Sequence, residues 1–212
     1  MATDINTTAT DRAISSRAKL YRLTARQCQA MARAGIFRDD HHIELLGGLL
    51  VQKMTKNPPH NFTVGATGRH LATLLTPHWV VWEEKSVELA RRWQPEPDIA
   101  VLIGPDRRYE SVTPTAADVV LLVEVADSSY ARDRGYKWRK YADAGIPIYW
   151  IVNLAKSQIE VYRQPQGKGA NAIYGSVEVY GNDAAVPVVV GGQEVGRLNV
   201  ADLLPSAPIA GA

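Results

Sequence analysis

The sequence predicts a mixed α/β domain in which a central mixed β-sheet is flanked by helices. Two continuous apolar runs, VVLLVEVA at 119–126 and IPIYWIVNL at 146–154, are too short for buried helices of ordinary length and read as strands covered on both faces. Between and before them, residues 60–75 and 132–144 space their apolar side chains at helical intervals and end on Pro77 and on Gly145 with Pro147. A chain of 212 residues that is 46% hydrophobic closes one good core, so a single domain over 20–205 is expected.

The elements follow in order. Residues 1–19 are polar and without an apolar segment. They read as a disordered arm rather than a secretion signal or a membrane span, and 206–212 read as a flexible tail. Thr24 followed by Gln27 is a capping-box pattern and Gly35 a left-handed stop, which predicts a helix over 25–34 with Cys28, Met31 and Ala32 on its buried face. HHIELLGGLLVQKM reads as two strands joined by Gly47-Gly48, because paired glycines supply the positive φ angles of a tight hairpin turn; Glu44 lies in the first strand. After Asn57-Pro58-Pro59 comes the helix over 60–75, with His60 at its start. Short strands are expected at 79–82 and 86–89, and Pro95 and Pro97 fix an extended lead into a strand that Asp98 opens. A polar loop spans 104–115, and a β-rich tail runs from 159 to about 203.

Composition narrows the function. The 24 basic and 22 acidic side chains leave a net charge of +2, so any attraction to nucleic acid must be local. The segment 126–140 is such a place: five cations (Arg132, Arg134, Lys137, Arg139, Lys140) against Asp127 and Asp133 give +3, interleaved with Tyr130, Tyr136 and Trp138. The single cysteine, Cys28, forms no internal disulfide and fits a reducing cytoplasm.

Glu124 is the residue that requires a reason. A carboxylate inside an apolar strand costs several kcal/mol to desolvate unless a cation or hydrogen-bond donors compensate it. A metal ion is one compensation, and an ion pair with Lys or Arg at a strand end is the other. If the strands opened by Asp98 and ended near Glu124 are antiparallel neighbours, the two acids meet at one sheet edge. Two carboxylates, the backbone carbonyl of Val125 and waters would then suit Mg²⁺ or Mn²⁺, with positions left for a phosphate oxygen and the attacking water. Lys137 on the following helix, with Arg134 at i−3 and Tyr141 at i+4, would face the same site; a solvated basic face is the alternative.

The runs PEPDIAVLI, VVLLVEVADSS and RDRGYKWRKYADAGIPIYWIVN resemble the Uma-two family, a bacterial group of restriction-endonuclease-like proteins with the PD-(D/E)XK fold, over about residues 20 to 205. That resemblance implies a central mixed sheet flanked by helices, Mg²⁺-dependent cleavage of DNA, and homodimers. Pro97-Asp98 matches the PD of the signature and Glu124 its D/E, both as metal ligands. The lysine departs from the signature: Val125 is followed by Ala126, and the matching lysine is Lys137 on the next helix. Glu44 matches an acid that reaches the metal through water, although an exposed hairpin face is an equal alternative; His60 matches a recurring histidine, more commonly a cap than a catalyst.

Other chemistries find less support. His41, His42 and His60 lack zinc-ligand spacing, Ser128 and Ser129 lie outside any G-x-S-x-G and instead suit a helix cap or a site wall, and Gly191-Gly192 is no phosphate loop. The expectation is therefore a metal-dependent endonuclease acting on DNA, with Asp98, Glu124, Lys137 and Glu44 as catalytic residues and Arg134, Tyr141 and His60 on the substrate. Two alternatives stand beside it: a non-catalytic nucleic-acid-binding or scaffold protein on the same fold, and a phosphodiesterase acting on RNA or a small nucleotide.

Overall fold

A computed structural model describes residues 20–37, 42–53, 57–75 and 77–206. The expected arm, most of the expected tail, and His41 lie outside them. Six strands form the central sheet in the order β3-β4-β5-β6-β7-β8: Trp79–Glu83, Ile99–Ile103, Val119–Ala126, Ile148–Asn153, Gln158–Gln166 and Ile173–Gly181. Every neighbouring pair is antiparallel except β5 with β6, so the sheet is mixed as expected. That one parallel step requires a crossover, which the helical segment between β5 and β6 provides. Two hairpins stand apart, β1–β2 (Ile43–Leu46, Leu49–Gln52) and β9–β10 (Ala185–Val190, Gln193–Asn199).

Helix α1 (Ala25–Arg33) starts on the capping box of Thr24 and Gln27. Helix α2 (Pro58–Leu75) begins two residues earlier than the sequence suggests, because prolines lack the N–H that a first helical turn cannot bond anyway. Asn57 takes the capping position, its Oδ1 accepting from the His60 N–H at 3.0 Å. The crossover comprises α3 (Tyr130–Arg132), a π-helical turn (Asp133–Lys137) bent at Gly135, and α4 (Trp138–Ala144), which stops on Gly145 at φ +79°. A short α5 (Val200–Leu203) closes the chain.

The expected strand at 86–89 does not form. The chain turns back on itself at Arg91-Arg92, where Ala90 and Trp93 bridge, and Glu88 makes a single bridge to Thr115. Asp98 lies one residue before β4 rather than within it.

Because successive strand residues face opposite ways, β5 divides two cores. Leu121, Val123 and Val125 pack with Val64 and Leu71 of α2 and with Val186 and Val188 of β9. Leu122 and Ala126 face the other side, with Tyr141, Tyr149 and Tyr162. Glu124 belongs to that second face, under the crossover helices. The β1–β2 hairpin is fixed beside it by a bridge between Leu45 and Gln94, with N–H···O bonds of 3.0 and 2.8 Å in the two directions.

A candidate metal and phosphodiester site

Antiparallel pairing sets Ile99 against Val123, so the residues one step outward, Asp98 and Glu124, stand opposite each other. Both are interior, 1% and 2% exposed. Both also line one polar cavity of about 50 Å³, together with Lys53, His60, Val125 and Arg132. That volume admits one or two water-sized groups but not a nucleobase, so a nucleic acid would meet it phosphate first.

Asp98 is held on all sides. Its Oδ2 accepts the Val125 N–H at 2.7 Å and lies 3.3 Å from His60 Nε2, while Oδ1 accepts from Lys53 Nζ at 2.7 Å. Burial pushes the Asp98 carboxyl up, yet Lys53 and His60 outweigh it and hold Asp98 below the usual carboxylate range. Glu124 has a different set of partners. Its Oε1 accepts from Lys137 Nζ at 2.9 Å and from the Tyr141 hydroxyl at 2.6 Å. Burial, reinforced by the nearby carboxylates of Asp133 and Asp98, pushes Glu124 up to about 7 against the pull of Lys137. Two adjacent carboxyls are thus driven in opposite directions, a feature of sites that handle protons or cations.

The hairpin supplies the remaining charges. Glu44 of β1 is fully buried, and its Oε1 accepts from the Glu96 N–H at 3.0 Å and from Lys137 Nζ at 2.9 Å. Lys53, just past β2, donates to the Glu96 carbonyl at 2.8 Å as well as to Asp98. The Glu96 peptide is therefore gripped from both its N–H and C=O ends, which fixes the Pro97-Asp98 turn into β4. Of the two readings of Glu44, the exposed hairpin face is excluded.

Several expected placements need correction. Lys137 reaches Glu124 but not the cavity: it is 1% exposed, and it bridges the carboxylates of Glu44 and Glu124 from behind. Although burial alone would lower its pKa, those acids raise it above the ordinary lysine value, so Lys137 is a fixed cation. Tyr141 likewise contacts Glu124 inside the core and is 1% exposed. Arg134 does not share their face. The bend at Gly135, with φ −99° and ψ −106°, turns it toward Glu160, 3.8 Å away, and over the rings of Trp138 and Tyr162. The basic stretch is also largely neutralised, since Lys137 is interior and Lys140 pairs with Asp143.

Three residues that the motif reading passed over belong to this site. Lys53 was legible from the hairpin: the register set by Gly47-Gly48 pairs Ile43 with Gln52 and puts Glu44 and Lys53 on one face. Arg132 lines the cavity with a buried Nε that has no hydrogen-bond partner. Asp133, also buried, accepts from Ser129, and its other oxygen has no hydrogen bond but lies 4.0 Å from Arg132 Nε as an ion pair. Sequence spacing gave no signal for these last two, because their orientation depends on the π-helical turn.

The donor set suits a hard cation. Among the described residues no three His, Cys, Asp or Glu side chains cluster as a metal cage. Two carboxylates beside a backbone carbonyl at a small polar cavity are nevertheless what Mg²⁺ takes when waters and phosphate complete its shell. Among the described residues both hydrogen bonds to Glu124 fall on Oε1, so its other oxygen fits a ligand's role.

Comparison with known proteins adds three findings. No curated protein matches. A solved structure from Anabaena variabilis, described as "a putative nuclease belonging to DUF820", superposes with a TM-score of 0.57 at 17% identity, over 76% of this chain and 88% of that one. At that identity the likeness speaks for the fold alone, here a nuclease-type α/β sheet. The model of the Uma2 family, described as "Putative restriction endonuclease", matches residues 25–201. A match of that extent, agreeing with the fold and with the residues that carry the resemblance, makes this chain a member of the Uma2 family.

Proposed function

We propose that this chain is a nuclease that hydrolyses phosphodiester bonds, most readily in DNA, with Mg²⁺ or Mn²⁺ held by Asp98, Glu124 and the carbonyl of Val125. The observation that carries the reading is the meeting of Asp98, just before β4, and Glu124 of the otherwise apolar β5 at one polar cavity. A bound divalent cation would polarise the phosphate and lower the pKa of a coordinated water.

The chain's own residues do the rest. His60 and the Val125 N–H fix the Asp98 carboxylate, and Lys137 with Tyr141 holds Glu124 by its Oε1. Arg132, rather than Arg134, is the guanidinium positioned to steady a phosphate oxygen. Incubating supercoiled plasmid with the protein and Mg²⁺ or Mn²⁺ tests the reading: nicking is expected from wild type and none above background from Asp98→Ala. Equal cleavage by the two proteins would refute it.

One observation favours a second reading, a non-catalytic binding protein on the same fold. Both oxygens of Asp98 and one of Glu124 are already bonded by protein groups, so the site is electrostatically satisfied without an ion. Calorimetric titration with Mn²⁺ separates the readings, since only the nuclease reading expects heat that Glu124→Gln removes.

A further inference from the structure

Among the described residues two lysines border the acidic pair, and they differ in what they can reach. Lys137 is enclosed behind Glu124, with its ammonium fixed between Glu44 and Glu124 at 2.9 Å from each. Lys53 lines the cavity itself, on the side of Asp98. We infer that Lys53, not Lys137, is the lysine that meets the phosphate, and that it yields Asp98 Oδ1 to the divalent cation when the site is loaded. This rests on the nuclease reading above.

A lysine ammonium is a compact cation on a flexible four-carbon stem, so it can leave one carboxylate oxygen without any backbone change. In the absence of metal it neutralises Asp98, which would otherwise be a buried and partly unpaired charge. With a divalent ion bound, Asp98 would be compensated more strongly, and the Lys53 ammonium would give up Oδ1. Lys53 is not then released to solvent, because the Glu96 carbonyl still accepts its hydrogen bond at 2.8 Å. It would keep its place on the cavity wall, which Arg132 also lines, with a hydrogen free for a phosphate oxygen.

The hairpin thereby supplies from another element the lysine that the strand lacks after Val125. Lys137 becomes a positioning residue. It fixes Glu124 from behind and touches neither ion nor substrate.

The test compares wild type, Lys53→Met, Lys137→Met and Asp98→Ala as full-length chains, by Mn²⁺ calorimetry and by cleavage of a DNA duplex. Lys53→Met should bind Mn²⁺ at least as tightly as wild type, having lost a competitor for Asp98, while cleaving on the order of 100-fold more slowly. Asp98→Ala should lose both. Cleavage by Lys53→Met within threefold of wild type would overturn the assignment; so would loss of Mn²⁺ binding in that variant, which would make Lys53 a support for Asp98 only. If Lys53→Met is too unstable to study, Lys53→Gln, which keeps a donor to Glu96, is judged by the same criteria. A wild type that neither binds Mn²⁺ nor cleaves removes the nuclease reading and this inference together, whereas an active wild type beside an active Lys53→Met removes the inference alone.

Discussion

Lys137 stands between two carboxylates that, among the described residues, have no other cation on their bonded oxygens, and all three groups are interior. Removing the ammonium leaves two buried charges facing each other, so Lys137→Met should cost about 3–5 kcal/mol in urea unfolding. A loss below 1 kcal/mol would mean that the pair is not compensated by this lysine. Glu124 allows a second prediction. Burial raises its pKa from 4.5 to about 7, so between those values the folded state binds a proton that the unfolded state does not. Stability therefore falls as pH rises through that window and is constant beyond it. In EDTA, Glu124→Gln lacks this penalty, and its stability relative to wild type should improve from pH 5 to pH 8. A gap that narrows in the opposite direction would contradict the account.

At the scale of elements, the β1–β2 hairpin delivers both Glu44 and Lys53. Its turn glycines are not equivalent. A Cβ at Gly48 would lie 2.6 Å from Arg22 Cβ and 3.0 Å from the Leu23 carbonyl oxygen, with φ at +85°, whereas at Gly47 the nearest atoms are 3.8 Å away. Gly47→Ala bears only the left-handed backbone cost, about 1 kcal/mol. Gly48→Ala must also push the hairpin from the chain before α1, and it should cost roughly twice as much by thermal or urea unfolding. Equal losses would show that the contact yields freely. The hairpin was readable because two glycines state their own geometry; the capping box of α1 and the apolar runs of β5 and β6 were readable for the same local reason. The segment 86–89 was not, since its β-like composition has only single-bridge partners and pairing is a property of neighbours. Nor was the π-helical turn, where one residue beyond the α-helical count separates Arg134 from Lys137 and Tyr141.

Across the whole molecule, the fold turns four distant segments into one site: the hairpin near 44–53, the start of α2 at His60, the lead into β4 at 96–98, and β5 with its crossover at 124–137. Glu124 was legible because a charge in an apolar strand is costly anywhere, and Asp98 because the prolines before it fix the lead into β4, but the assignment of lysines was not, because it depends on which side of Glu124 each one approaches. If that convergence builds a cation site, occupancy must stabilise the entire fold, since the ion binds groups that unfolding scatters. At a Mg²⁺ or Mn²⁺ concentration of 100 times Kd the gain is about 2.7 kcal/mol. For a chain of this size each kcal/mol moves the midpoint by roughly 2–4 °C, so the thermal transition should rise by about 5–10 °C on adding the ion. The rise should vanish in Asp98→Ala and Glu124→Gln, and it should persist in Lys53→Met, whose carboxylates remain free to bind. Scanning calorimetry with and without EDTA gives this result independently of turnover. An equal shift in wild type and Asp98→Ala would place the ion elsewhere, because the stabilisation would then owe nothing to the carboxylate at the centre of the site.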